Sequence, residues 1–177
     1  MDASIKLVLP PTPLRVLGID PGLNRTGYAI LEQTTGRRPI LVEGGIVKTT
    51  PKLSLAERVH EISIGLREII AEYQPAVMAI EQIFSHIQNP KTAILMAHAR
   101  GVILLSASEK GLPVWHYTPT QIKRLLTGSG KASKEQMQRA IQNELGLSEL
   151  LEPNDVADAF AVALCHYYTS KAQLRAS

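Results

Sequence analysis

Apolar positions along this chain fall into short blocks and longer helical stripes, and turn residues close almost every one. Arg15–Asp20 (RVLGID) is a brief apolar run stopped by Pro21-Gly22, which predicts a buried strand. Residues 26–33 and 41–49 predict two more strands, with Thr34-Thr35-Gly36 as turn material between them, so three consecutive strands form a meander. Ser54 with Glu57 three residues on reads as a capping box. The helix it opens carries Leu55, Val59, Ile62, Leu66, Ile69, Ile70 and Tyr73 at helical spacing and closes at Pro75. A fourth strand is predicted over 76–82, and a second helix from Asn89-Pro90 to about Lys110, before Gly111. A fifth strand covers 113–117. Thr118-Pro119 starts a short helix that breaks at Gly128-Ser129-Gly130, Ser133 with Gln136 caps another that ends at Gly146, and a last helix runs from near Pro153-Asn154 to about Tyr168.

Strand–helix–strand repeats after a meander predict an α/β fold with a mixed five-stranded sheet flanked by helices. No repeat, low-complexity tract or linker marks a second domain. Residues 1–14, with Pro10, Pro11 and Pro13, read as a flexible lead-in, 15–170 as a single domain and 171–177 as a flexible polar tail. The second helix stands apart. Ile94, Leu95, Met96, Val102, Ile103, Leu104 and Leu105 do not share one narrow stripe, and Ala93, Ala97, Ala99 and Gly101 keep part of its surface small. A helix apolar on several faces is buried on several sides. It is either a central core helix or one that meets the sheet on one side and a partner subunit on the other.

Composition narrows the class. The chain has 177 residues, 45% of them hydrophobic, enough for one domain with a real core. A formal net charge of +3 leans mildly toward a polyanionic partner, although solubility alone accounts for it equally well. The single cysteine, Cys165, excludes a disulfide within one chain; it reads as a small buried hydrophobe in a reducing cytoplasm. No secretory leader and no membrane-spanning run are expected.

The chemistry lies in carboxylates. Asp20 ends one apolar strand and Glu81 ends another, after Val77, Met78, Ala79 and Ile80. Polar groups at strand ends point into clefts at low cost, whereas inside the sheet they are expensive. One such residue is more simply a turn cap; two are a pattern. Asp155 and Asp158 are spaced i, i+3 at the start of the last helix, which puts them on one face. Helix-dipole complementarity accounts for Asp155. It accounts less well for Asp158, whose neighbours Val156, Ala157, Ala159, Phe160, Ala161 and Val162 are apolar. Four converging carboxylates repel one another unless a cation joins them. All-oxygen donors select a hard ion, Mg²⁺ or Mn²⁺. Two such ions about 3.5–4 Å apart activate a water and stabilise a leaving 3′ oxygen. The five histidines form no zinc-ligand spacing.

The segments L-G-I-D-P-G-x-N-x-x-G-Y (17–28), A-I-E-Q-x-F (79–84), A-R-G-V (99–102) and D-x-A-D-A (155–159) together resemble the RuvC family of Holliday-junction resolvases. The likeness runs in order from about Arg15 to Thr169. It implies a ribonuclease-H-like fold, a homodimer and symmetric nicking of two like-polarity strands of a four-way DNA junction, leaving ligatable 5′-phosphate ends. It also implies cooperation with a branch-migration complex of the RuvA and RuvB type. Residue by residue, the family's acidic site falls on Asp20, Glu81, Asp155 and Asp158, its junction-contacting aromatic on Phe84, and its functional lysines on Lys123 and Lys134. Phe84 suits stacking on an unpaired base and equally suits a lid on the core. Arg100, Lys110, Lys123, Arg124, Lys131 and Lys134 supply positive charge, and Lys131 with Lys134 flanks the glycine-rich break within reach of phosphates.

Two other classes fit parts of the chain. Asp20-Pro21-Gly22 with Asn24 and Gly27 passes for the phosphate-binding turn of an actin-like ATPase or sugar kinase, but that architecture needs two such domains. A non-catalytic junction-shape binder accommodates the basic residues, but its acidic cluster would repel phosphate.

Overall fold

The computed structural model describes residues 14–34, 38–83 and 90–176. The meander is β1 (Arg15–Asp20), β2 (Arg25–Glu32) and β3 (Ile40–Lys48). Helix α1 (Leu55–Tyr73) leads to β4 (Val77–Glu81), and α2 (Pro90–Glu109) leads to β5 (Val114–Tyr117). Three helices follow: α3 (Pro119–Thr127), α4 (Lys134–Leu145) and α5 (Asn154–Ala176). The five strands form one sheet in the order β3-β2-β1-β4-β5. The meander pairs antiparallel, while β1, β4 and β5 run parallel, as strands joined by helical crossovers must.

Local chemistry sets the boundaries. Ser54, Thr118 and Ser133 each accept a hydrogen bond from the backbone three residues on, and Glu57, Gln121 and Gln136 return it, giving three complete capping boxes. Gly128 (φ 79°) and Gly146 (φ 68°) close α3 and α4 in the left-handed conformation that a side chain resists.

Alternation along the strands sorts the core into two layers. Leu17, Ile19, Ile30, Met78 and Ile80 pack with Ile62, Leu66 and Ile103 of α1 and α2. Val16, Ala29, Leu31 and Ala79 face the other way, onto Val156, Ala159, Phe160 and Ala163 of α5. Helix α5 lies unusually close to the sheet. A Cβ on Gly18 would stand 2.3 Å from the carbonyl oxygen of Ala159, so glycine there is a condition of the packing.

Two expectations change. Helix α5 does not stop near Tyr168 but continues to Ala176, so 171–176 extend the helix rather than form a separate tail. Lys171, Ala172 and Gln173 are good helix formers, and the Lys171 ammonium bonds the Tyr167 hydroxyl at 3.0 Å, one turn back. Helix α2 is not a central core helix. It buries Ala99, Ile103, Ser106 and Ala107, while Ile94 and Leu105 stay more than half exposed, at 58% and 53%. The proline-rich lead-in up to Pro13 lies outside the described residues.

Candidate active site

Parallel pairing of β1 with β4 in the register Ile19↔Ile80 brings Asp20 and Glu81 to the same end of adjacent strands. Both share the sheet face of Gly18 and Ala79, the face that α5 covers. The start of α5 is drawn onto the same strand ends by a second close approach: a Cβ on Gly27 would lie 2.0 Å from the Asp155 carbonyl oxygen. Asp158, one turn on, thereby reaches the ends of β1 and β4. The result is a cleft of about 290 Å³ that includes Asp20, Glu81 and Asp158, with Lys123 from α3 and Lys134 from the first turn of α4 on its rim. The capping box at Ser133 starts α4 at Lys134, and Thr118 starts α3 so that Lys123 falls one turn in.

Burial with mutual repulsion governs the electrostatics. The Asp20 carboxyl is pushed up to about 8, first by desolvation and then by Glu81, Asp158 and Asp155, against a smaller pull from Lys134. Glu81 rises to about 7 through desolvation and then Asp158, with Lys123 opposing. Asp158 is raised too, chiefly by desolvation, while Lys134 and Lys123 draw it down. Asp155 contributes its charge to this group but turns its side chain elsewhere. Arg25, the first residue of β2, donates from Nε to Asp155 Oδ2 at 2.8 Å.

The donor set suits a hard divalent cation. It is all carboxylate oxygen and partly dehydrated, and the burial and mutual repulsion that raise Asp20 and Glu81 are costs that a bound cation would relieve. The carboxylates are close enough to repel one another, yet among the described residues no three His, Cys, Asp or Glu side chains stand ready as a closed metal cage.

Lys131 sits in the exposed turn before α4 and is not among the residues lining the cleft. Phe84 lies outside the described residues. The pairing of Arg25 with Asp155 was not anticipated, although one signal for it existed: Arg25 is two residues before Gly27 and therefore on the same strand face. Arg100, read from sequence as general positive charge, lies beneath the site. It donates from Nε to the Glu81 carbonyl at 3.4 Å and from Nη2 to His116 Nδ1 at 2.7 Å. Burial and the Arg100 charge both hold His116 below the usual imidazole value, consistent with an unprotonated acceptor nitrogen. Cys165 is buried at 1% exposure and its thiol is pushed up to about 11 by desolvation, as an inert core residue requires.

A mixed sheet of order β3-β2-β1-β4-β5, with carboxylates ending two neighbouring strands beneath a C-terminal helix, is a ribonuclease-H-like arrangement. The family model described as crossover junction endodeoxyribonuclease RuvC matches residues 16–166. This chain belongs to the RuvC family of crossover junction endodeoxyribonucleases. It is 47% identical to the RuvC of Rhodopirellula baltica over 168 residues, covering 95% of this chain and 94% of that one. It is 44% identical to the RuvC of Caldicellulosiruptor saccharolyticus, covering 91% and 96%. The structure of Thermus thermophilus RuvC in complex with its Holliday junction substrate superposes with a TM-score of 0.84 at 34% identity, covering 90% of this chain and 96% of that one. The yeast mitochondrial Holliday junction resolvase Ydc2 shares the fold at a TM-score of 0.63 and 16% identity, covering 94% and 84%.

Proposed function

We propose that this chain resolves four-way DNA junctions during recombination and repair, nicking two strands of like polarity symmetrically to leave 5′-phosphate ends. The observation that carries this reading is the convergence of Asp20, Glu81 and Asp158 in one cleft rimmed by Lys123 and Lys134, in a chain of the RuvC family. Family membership brings dependence on a divalent metal. Mg²⁺ in the cell, with Mn²⁺ as a substitute and two ions per site, is the finer assignment that an all-oxygen donor set supports. Bound divalent ions supply activation of the attacking water and stabilisation of the leaving 3′ oxygen.

The residues divide the remaining work. Asp20, Glu81, Asp155 and Asp158 hold the metal. Lys123 and Lys134 hold the scissile phosphate against an acidic cluster that would otherwise repel it. Lys131, outside the cleft, contacts the DNA backbone beyond it. Phe84, three residues past Glu81, stacks on a base that the junction leaves unpaired.

Purified protein with Mg²⁺ or Mn²⁺ is expected to nick a synthetic four-way junction at least about a hundredfold faster than a linear duplex of the same sequence, a preference built on shape and deformability. Equal rates on the two substrates, or no cleavage of either, would refute the assignment.

Symmetric cuts call for two sites on a two-fold axis, and so for a homodimer. Helix α2 offers the face: Ile94 and Leu105 are exposed, and a groove of about 830 Å³ beside them is lined by Ala93, Ala97, Gly101 and Leu104. Ile94→Glu is expected to weaken self-association by about a hundredfold, placing a charge in the middle of the apolar contact. Light scattering checks it; a variant that stays dimeric at the same concentrations moves the interface elsewhere. A branch-migration complex of the RuvA and RuvB type is the partner that family membership favours. The assigned compartment is the cytoplasm, and among the described residues no helix is long and apolar enough to cross a membrane.

A further inference from the structure

Three ion pairs are formed among the described residues, and one of them reaches the acidic cluster. Arg25 and Asp155 face each other across the join between β2 and α5, with the guanidinium Nε 2.8 Å from Oδ2 and side chains 42% and 33% exposed. Lys123 and Lys134 act on Glu81, Asp20 and Asp158 only through charge at a distance. Among the described residues, Asp155 is thus the one member of the quartet with a resident cation bonded to it. Its carboxylate is turned toward Arg25, and no three acidic side chains among the described residues close on a common point.

We propose that Arg25 is a positioning residue that latches Asp155 and competes with the divalent ion for it. The inference rests on the reading of the four carboxylates as the metal site. A guanidinium and a divalent cation sharing one carboxylate repel each other, so each weakens the other's hold by the same factor. Two effects of removing Arg25 oppose one another. Losing the hydrogen bond frees a short side chain with two rotatable bonds, which costs little order. Losing the positive charge beside a metal ligand deepens the negative potential of a partly dehydrated site, and this second effect is the larger. Arg25 therefore tunes the site toward weaker, reversible loading and keeps Asp155 compensated until metal arrives.

The test is Mn²⁺ titration of the DNA-free, full-length protein followed by electron paramagnetic resonance. Arg25→Gln is expected to bind Mn²⁺ about fivefold more tightly than the unsubstituted protein, whereas Arg25→Lys, which keeps the charge, stays within about twofold of it. In an Asp155→Asn background the gain from Arg25→Gln is expected to fall to about twofold, because only the longer-range field of the lost charge then acts on the remaining carboxylates. A partly exposed ion pair contributes little to folding, so the variants should fold, as circular dichroism will check. Equal or weaker binding by Arg25→Gln overturns the latch, as does the same gain in the Asp155→Asn background. Mn²⁺ binding that is absent from the unsubstituted protein, or untouched by Glu81→Gln, sinks the metal reading itself and the latch with it.

Discussion

Asp20→Asn is expected to lower junction cleavage by at least about a thousandfold, to leave junction binding within about threefold, and to make the metal-free protein more stable. Loss of activity follows from position: Asp20 is the deepest carboxylate of the cleft and the one on which the other three converge electrostatically. Retained binding follows from the proposed division of work, in which lysines and junction shape, not Asp20, hold the DNA. The stability gain follows from linkage. The Asp20 carboxyl sits at about 8 in the folded chain against an ordinary 3.8. Between those values the folded state keeps a proton that the unfolded state releases, so stability falls as pH rises through this interval. Glu81, raised to about 7, adds a slope of the same sign. Asparagine keeps the shape and removes the charge, so the advantage of the variant grows with pH. It should reach on the order of 1–3 kcal/mol near the upper end of the interval, part of it offset by the lost attraction to Lys134. Thermal melts in chelator across that interval measure the gain. A variant that still cuts at an ordinary rate removes Asp20 from the catalytic machinery; one that no longer binds junctions makes Asp20 a structural residue.

Gly27→Ala is expected to damage stability and activity together. The added methyl would stand 2.0 Å from the carbonyl oxygen of Asp155 and 2.7 Å from its carbonyl carbon. These are backbone atoms of the first turn of α5, so no rotamer change relieves the contact. The helix start must move off β2, and Asp155 and Asp158 move with it. The expected costs are about 2–4 kcal/mol of stability, from overpacking at a close backbone approach, and at least about a hundredfold in single-turnover cleavage at saturating metal, from misplaced ligands. Melting and cleavage on the same preparation check both. A variant with unchanged melting and cleavage would mean that α5 need not touch β2 for the site to form. Truncating the Asp155 side chain is not expected to rescue the substitution, because the clash is with the main chain.

These two substitutions mark different depths of legibility. Asp20 and Glu81 stand out in the bare sequence because each ends an apolar strand, where a carboxylate is cheap only if it faces a cleft. Asp158 stands out because its flanks are apolar and a solvated helix face does not account for it. The capping boxes at Ser54, Thr118 and Ser133 are local chemistry and form where the spacing places them. Helix α5 runs past its expected end because Lys171, Ala172 and Gln173, although mostly polar, are good helix formers.

Other features depend on contacts between distant segments. Gly18 and Gly27 look like ordinary strand glycines until α5 is laid across them. Lys123, Lys131 and Lys134 are indistinguishable as charges along the chain, but the start of α4 and the second turn of α3 place only Lys123 and Lys134 on the cleft. Arg100 turns out to support the Glu81 strand end. The all-round apolar character of α2 left two readings open, and packing removes the central-core one, burying Ala99, Ile103 and Ala107 while exposing Ile94 and Leu105.

By itself the chain determined its elements, their order, the family likeness and the four acidic positions, because strand alternation, helix periodicity, capping and turn chemistry all act within a few residues. Tertiary structure alone decided the depth of α5 against the sheet, the cleft that admits two lysines and not a third, and the turning of Asp155 toward Arg25. Each of these depends on which surfaces meet across more than a hundred residues of chain, and on the cost of dehydrating charge where they do.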